Sequence, residues 1–388
     1  MPSSHLRRAA VAVLILTTAC SGGGAQRAVP SPAGSAAQTP TPAATTPPPS
    51  ATPAPTPSAL GAAGGPVPAA FKAVSVTFIS TETGWALGTG TCAKPPCTGI
   101  VRTRDGGQTW RGIPAPAAGT NTGDGSVSTR ELRFADQLNG FAFASSLFAT
   151  HDGGGHWRRI AVKGSVASLE VAGGRFWAVL HGCDSVEGTC TAPGSVITGA
   201  VGGDAVTTVM PLAPGVTGQV VLHGPLVYLA LARLNQQSTA PQLKVASGGG
   251  SFAARPIPCG STEVPYLAAA GDTSLALVCQ SSDAGAGQQP KHYYGSTDSG
   301  RTWTRRADPA GLIGTVVAAT GNAVYVGNQR TGLQVSRDGG RTWATSLASE
   351  AGTSYVGFVD DSFGEAVVGD ALELTRDAGR TWARVRFS

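Results

Sequence analysis

Beyond about residue 67 the chain runs in short alternating apolar stretches separated by turn-forming residues, the pattern of strands half buried in sheets. One phase marker recurs, a phenylalanine followed after five residues by Gly-aromatic-Ala. Phe78 with Gly84, Trp85 and Ala86 has this form, as does Phe134 with Gly140, Phe141 and Ala142. Phe358 with Gly364 and Ala366 also fits, except that Glu365 stands in the aromatic place. Each marker predicts two inner strands of a repeated unit joined by a short turn. A further repeat keeps the order: Phe176, Trp177 and Ala178, a loop from Cys183 to Cys190, then Val196, Ile197 and Thr198. It parallels Trp85 and Ala86, the loop from Cys92 to Cys97, and Val101 to Thr103.

The strongest internal signal is an octapeptide, S/T-x-D-x-G-x-T/H-W, present five times and ending at Trp110, Trp157, Trp303, Trp343 and Trp382. Its aspartates are Asp105, Asp152, Asp298, Asp338 and Asp377. A short Asp side chain accepts backbone N–H groups in a tight turn, and Gly tolerates a left-handed backbone there. The Trp then anchors the returning strand in a core. Between Trp157 and Trp303 there is room for two worn copies, one ending at Ala205 with Gly202 kept, the other ending at Phe252 with Ser247 in the Asp position. The steps between successive ends are then 47, 48, 47, 51, 40 and 39 residues. Seven such repeats, each of about four short strands, predict an all-β fold, a seven-bladed β-propeller over residues 67–388. Closing the ring removes long free sheet edges. Whether Val67 to Val74 supplies a closing strand is left open at this point.

The octapeptide resembles the Asp-box (BNR) of bacterial neuraminidase-type β-propellers. Combined with the Phe-x5-Gly-Trp-Ala marker, it is similar to the photosystem II stability/assembly factor family and its non-photosynthetic relatives, over roughly residues 70–388. That resemblance implies a non-catalytic extracytoplasmic scaffold that docks onto a membrane or cell-envelope protein, with no cofactor. The rival implied by the same boxes is a sialidase-like glycoside hydrolase, which needs an Arg triad, a Tyr–Glu nucleophile pair and an F/Y-R-I/L-P motif. The motif is absent; Arg111 to Pro114 and Arg255 to Pro258 come nearest and lack the aromatic-Arg pair. Tyr266 near Glu263 and Tyr355 near Asp360 are the pairs that could be named for such chemistry. A third class is a carbohydrate-binding cell-surface module, disfavoured by the scarcity of aromatics outside the boxes.

No nucleophile elbow, phosphate loop or H-E-x-x-H pattern occurs, and the histidines form no metal-ligand cluster. His151 and His156 sit at turn positions in the second box. Asn121 to Gly125 offers too few oxygens for a convincing calcium loop. The box aspartates read as structural, because a hairpin needs their hydrogen bonds and one active site does not need five copies.

The chain begins with Arg7 and Arg8, an apolar run from Ala9 to Leu16, and small residues before Cys20. The run is short of the roughly 20 residues that span a bilayer. Residues 1–20 resemble a bacterial lipoprotein signal, with Cys20 the lipidated residue; Thr17 departs from the usual aliphatic residue three places before the cysteine. Residues 21–66 are Pro, Ala, Thr, Ser and Gly with one charge, Arg27, and predict a disordered, semi-stiff linker. The expected location is the outer face of the cell membrane, with contact to lipid through the anchor alone.

Composition narrows the picture further. With 54 Gly and 27 Pro and only 13% charged residues, neither a coiled coil nor a charge-driven disordered tail fits. Of the 28 basic residues three lie in 1–66 beside no acid, leaving 25 against 23 acidic residues in the remainder, a net +2. So weak a basic footprint excludes a nucleic-acid groove. Apart from Cys20 there are six cysteines, an even count that suits disulfides in an exported chain. Cys92 with Cys97 and Cys183 with Cys190 would each close a small loop, leaving Cys259 with Cys279. The spacing does not suit metal knuckles. Finally, arginines crowd the last three repeats. Arg301, Arg337, Arg341, Arg376 and Arg380 occupy variable box positions and are the candidate partner-binding residues, expected to point outward.

Overall fold

Each repeat closes on itself as a four-stranded antiparallel sheet with its strands in chain order, and seven such sheets form the propeller. The computed structural model describes residues 64–387 apart from 95–96, 121–126, 184–189, 234–239, 272, 283–288, 312–313 and 322. Residues 1–63, on which the expected signal, Cys20 and nearly all of the expected linker fall, and the Asn121 to Gly125 stretch lie outside the described residues. The described residues contain no helix. The blades occupy 72–113, 131–160, 165–214, 216–255, 263–305, 316–347 and 353–384. The two worn copies fall where predicted, after the third strands Pro193–Ala200 of blade three and Gln242–Ser247 of blade four.

The phase marker has a steric origin. Phe78 lies directly across from Gly84, Phe134 from Gly140, and Phe358 from Gly364 in the first two strands of their blades. A side chain on those glycines would stand 2.5 to 2.7 Å from ring carbons, so only Gly fits beneath the ring. The aromatic residue after the glycine packs across to the next blade: Trp85 stacks on Phe134 at 3.8 Å, and Phe141 meets Phe176 at 4.9 Å.

The buried side chains form seven clusters, one at each seam between neighbouring blades. Burial of a large apolar side chain contributes roughly 1.5–3 kcal/mol, so each seam is a small hydrophobic core and the ring is their sum. Among the described residues, the seam between blades five and six has the smallest cluster: Ala276, Val278, Tyr293, Val324 and Val326.

Blades one and seven each consist of four consecutive strands, so the ring closes without strand exchange. The question left open at Val67 to Val74 resolves accordingly. Lys72–Phe78 is the first strand of blade one, and the preceding segment pairs Gly65 with Gly112 on the outer edge of the same blade. Closure rests mainly on side chains: Phe387 packs on Phe71 and Trp110 at 4.8 and 5.3 Å, and Lys72 pairs with Asp370 at 2.8 Å, beside one backbone bond from the Ala73 amide to Asp370 O at 3.2 Å.

Three disulfides are formed, Cys92–Cys97, Cys183–Cys190 and Cys259–Cys279. The first two staple the loops between the second and third strands of blades one and three. The third ties the segment entering blade five to its second strand, Leu275–Ser281.

Candidate functional site

The octapeptide builds a self-contained hydrogen-bonded turn between the third and fourth strands. In the first copy the Thr103 hydroxyl donates to Asp105 Oδ1 and accepts the Gly107 amide, both at 2.8 Å. Asp105 also accepts the amide and the hydroxyl of Thr109 at 2.9 and 2.6 Å. The same bonds recur at Asp298, Asp338 and Asp377. At Asp152 the imidazole of His156 replaces the threonine hydroxyl at 2.6 Å. Hydrogen bonds to a carboxylate favour its charged form. Those from Thr302 hold Asp298 down to about 2, and those from Thr381 do the same for Asp377. Asp338 is likewise depressed, by Thr342.

The tryptophans of these turns reach back to the preceding blade. Trp157 donates its indole N–H to Pro114 O at 3.0 Å, Trp303 to Pro256 O at 2.9 Å, and Trp343 to Ala307 O at 2.8 Å. Trp382 donates to Ser346 Oγ at 3.0 Å. Trp110 differs, bonding Gly107 O of its own turn at 3.1 Å.

The five candidate arginines divide by box position. Arg301, Arg341 and Arg380 hold the sixth position and are exposed, each with one guanidinium N–H on its own aspartate's carbonyl at 3.2, 3.3 and 3.0 Å. Arg337 and Arg376 hold the second position and cross to the next blade. Arg337 donates to Ala378 O at 2.7 Å and lies over the Tyr325 ring. Arg376 donates to Gly106 O at 2.6 Å and lies over Phe363. Both acceptors are the fourth residue of the following box. All five are exposed, and at Arg337 and Arg376 the side chain also crosses the seam, because a long side chain at the second position reaches a neighbouring turn carbonyl. His151 does comparable work in blade two, bonding Asp204 of blade three at 3.1 Å, where Arg158 also pairs with Asp204.

Box five carries Thr297 at that second position, too short to cross. A cleft of about 450 Å³ opens at this seam, walled by Tyr293 and Arg306 of blade five and by Arg337 and Arg341 of blade six.

A second polar site lies at the ring centre, a cavity of about 750 Å³ lined by the first strands of blades two to seven. Arg133 pairs there with Glu170 at 3.0 Å and Glu131 at 3.4 Å, and its guanidinium sits 5.3 Å from the Tyr355 ring centre. Burial opposes the charge on Arg133, but Glu170, Tyr355 and Glu131 outweigh it and hold the guanidinium above its ordinary value. Burial pushes the carboxyl of Glu365, 3% exposed, up to about 8, against the opposing pull of Arg133 and of a Tyr355 hydrogen bond. Burial raises Tyr355 as well.

These contacts revise the Tyr–acid pairs read from the sequence. Tyr355 bonds Glu365, not Asp360, which accepts the Ser362 and Phe363 amides in a turn. Glu263 pairs with His292 at 2.7 Å and accepts the Gly260 amide at 2.6 Å, rather than meeting Tyr266. Sequence reading missed Arg133 and Glu365, although both left a signal. Glu365 interrupts the Gly-aromatic-Ala marker, and Glu131-Leu-Arg133-Phe alternates so that the charged pair shares one face of an inner strand.

No family model and no curated protein matches the sequence. Solved structures do share its architecture. YCF48 bound to D1 peptide is 16% identical with a TM-score of 0.53, the match covering 80% of this chain and 95% of that one. Streptogramin B lyase is 11% identical with a TM-score of 0.54, over 80% and 95% of the two chains. A puromycin-hydrolyzing peptidase from Mycobacterium tuberculosis is 12% identical with a TM-score of 0.55, over 86% of this chain and 55% of its own. At such identities the likeness is one of fold, and binding proteins and enzymes share it. What the comparisons identify is a seven-bladed β-propeller.

Proposed function

We propose that this chain is an exported lipoprotein, held at the outer face of the cell membrane by lipid on Cys20 and spaced from it by residues 21–66, whose propeller is a non-catalytic scaffold for a membrane or cell-envelope protein. The observation that carries this reading is the comb of Arg301, Arg341 and Arg380. They stand at the same position of three successive blades, exposed, each preorganised by one bond to its own turn. Arginines held this way lose little side-chain entropy on binding and keep most of their donor fork for a partner. YCF48, a propeller of this fold, binds a D1 peptide, which accords with a protein ligand. The boxes themselves are read as Asp-boxes, framework rather than site.

The test is affinity capture of the cross-linked, lipidated protein from detergent-solubilised membranes, alongside the triple variant Arg301→Glu, Arg341→Glu, Arg380→Glu. One stoichiometric membrane protein, lost in the variant at unchanged Tm, is the expected result. An identical set of captured proteins in both samples would overturn the reading.

One observation favours a hydrolase of the sialidase kind, the Tyr355–Glu365 pair beside Arg133. Against it, Arg133 is the one arginine among the described residues lining the central cavity. A substrate carboxylate would have to displace Glu131 and Glu170 from it. Turnover of a fluorogenic sialoside that disappears in Tyr355→Phe would replace the binding reading by the enzymatic one.

A further inference from the structure

The seam between blades five and six differs from the two that follow it in three respects. First, the crossing bond is missing. Arg337 and Arg376 each tie their box to the fourth residue of the next, whereas Thr297 leaves the corresponding Gly339 with nothing within 4 Å of where its side chain would start. Second, the buried cluster beneath is, among the described residues, the smallest of the seven. Third, a phenol hydroxyl at the cleft is left over. Tyr293, 2% exposed, lines the cleft, and its hydroxyl has no hydrogen-bond partner among the described residues. Tyr325, one seam on, donates to Ala378 O at 2.7 Å and meets Arg337 Nη1 at 3.3 Å.

The charges facing this cleft are unbalanced. Arg306 forms no ion pair among the described residues, and Arg341 uses one N–H on the Asp338 carbonyl. The one carboxylate in the wall, Asp338, is already consumed by Ser336, Thr342 and the Arg341 amide. Leu275, Ala276 and Val324 supply apolar lining. Arg306, Arg337 and Arg341 outnumber this one engaged carboxylate, so the cleft calls for an anion, and the apolar lining calls for a carbon chain attached to it. The cavity is at the lower end of the range for small-ligand sites, roughly 300–1,000 Å³.

We propose that the cleft between blades five and six receives a carboxylate side chain from an acidic, partly apolar segment of the partner protein, gripped by Arg306, Arg341 and the Tyr293 hydroxyl. The proposal rests on the protein-binding reading above and names the contact within it. Thr297 is the specificity-determining residue: its shortness keeps the cleft open. Charge-assisted hydrogen bonds to arginine give the carboxylate an advantage over a neutral isostere.

The experiment measures fluorescence anisotropy of a labelled octapeptide of alternating Leu and Glu, with its Leu and Gln counterpart as control, titrated with the full-length protein in detergent. The Glu peptide is expected to bind saturably and at least tenfold tighter than the Gln peptide. Thr297→Arg should fill the cleft, rebuild the crossing bond to Gly339, and weaken Glu-peptide binding tenfold or more with Tm unchanged or raised. Arg306→Glu should weaken it similarly. Equal binding of the two peptides, undiminished binding to Thr297→Arg, or displacement of the peptide by equimolar inorganic phosphate would each overturn the proposal. Membrane capture separates the two readings. If Thr297→Arg still captures the partner that the arginine triple variant loses, the scaffold stands and this cleft is not its contact.

Discussion

The guanidinium of Arg376 in blade seven donates to the carbonyl oxygen of Gly106 in blade one at 2.6 Å, joining the last box to the first. No strand is shared between these blades, so this bond, the Lys72–Asp370 pair and the packing of Phe387 add to the apolar core of the seam and the Ala73 amide on Asp370 O in completing the ring.

Arg376→Ala should therefore lower stability by about 1 kcal/mol, the net worth of a charge-assisted bond at an exposed site. Phe387→Ala, which strips Phe71 and Trp110 of their ring contacts, should cost about 2 kcal/mol. Denaturant unfolding with an unchanged midpoint for both variants would show that the seam closes by other means.

The box aspartates set an acid limit. Asp298 and Asp377 are held at about 2 against an ordinary 3.8. A depressed folded-state value means the stabilisation is complete above about pH 4 and is lost as pH falls through 2. Thermal unfolding should thus steepen in its pH dependence between pH 4 and 2. Asp298→Asn with Asp377→Asn should flatten that region, and a double variant as acid-sensitive as the parent would refute the assignment.

Glu365 works in the opposite direction. Its carboxyl stands at about 8 when folded and 4.5 ordinarily, so the folded state binds the proton more tightly. This contribution is full below pH 4.5 and declines as pH rises through 8. Glu365→Gln, which keeps the shape and removes the titration, should be more stable than the parent at pH 8 and close to it at pH 5. A constant difference across that range would place the titration elsewhere.

Two boxes carry a side chain where the turn requires a left-handed backbone. Ser299 and Ala378 have φ of 60° and 57°, while the equivalent residues Gly106, Gly153 and Gly339 lie between 69° and 73°. Ala378→Gly keeps the carbonyl that Arg337 and Tyr325 use and relieves the strain. It should stabilise the protein by about 0.5–1 kcal/mol; a loss of stability in urea titrations would contradict this.

The repeat number, the strand order within each blade, the turn chemistry and the two small-loop cysteine pairs were legible in the sequence because each is local, while Cys259–Cys279 followed only by elimination and its pairing was decided by the fold. An octapeptide satisfies its own hydrogen bonds, Phe78 demands a glycine at Gly84 across one turn, and Cys92 reaches Cys97 within a loop. The worn boxes of blades three and four were legible from spacing together with the traces of the box that remain, Gly202 in one and Ser247 and Phe252, standing for Asp and Trp, in the other. What faces what across a seam was not. Arg337 and Arg301 look alike in a box, yet one side chain crosses to Ala378 and the other folds back on Asp298, since the second position points along the ring and the sixth back over the turn. Tyr355 chose Glu365 over Asp360 because cross-strand pairing places Glu365 opposite Gly357, beside the tyrosine, while Asp360 caps the connecting turn. The cleft beside Thr297 is likewise a product of closure. It exists only because two turns from different blades are brought together and one of them lacks the arm to bridge the gap.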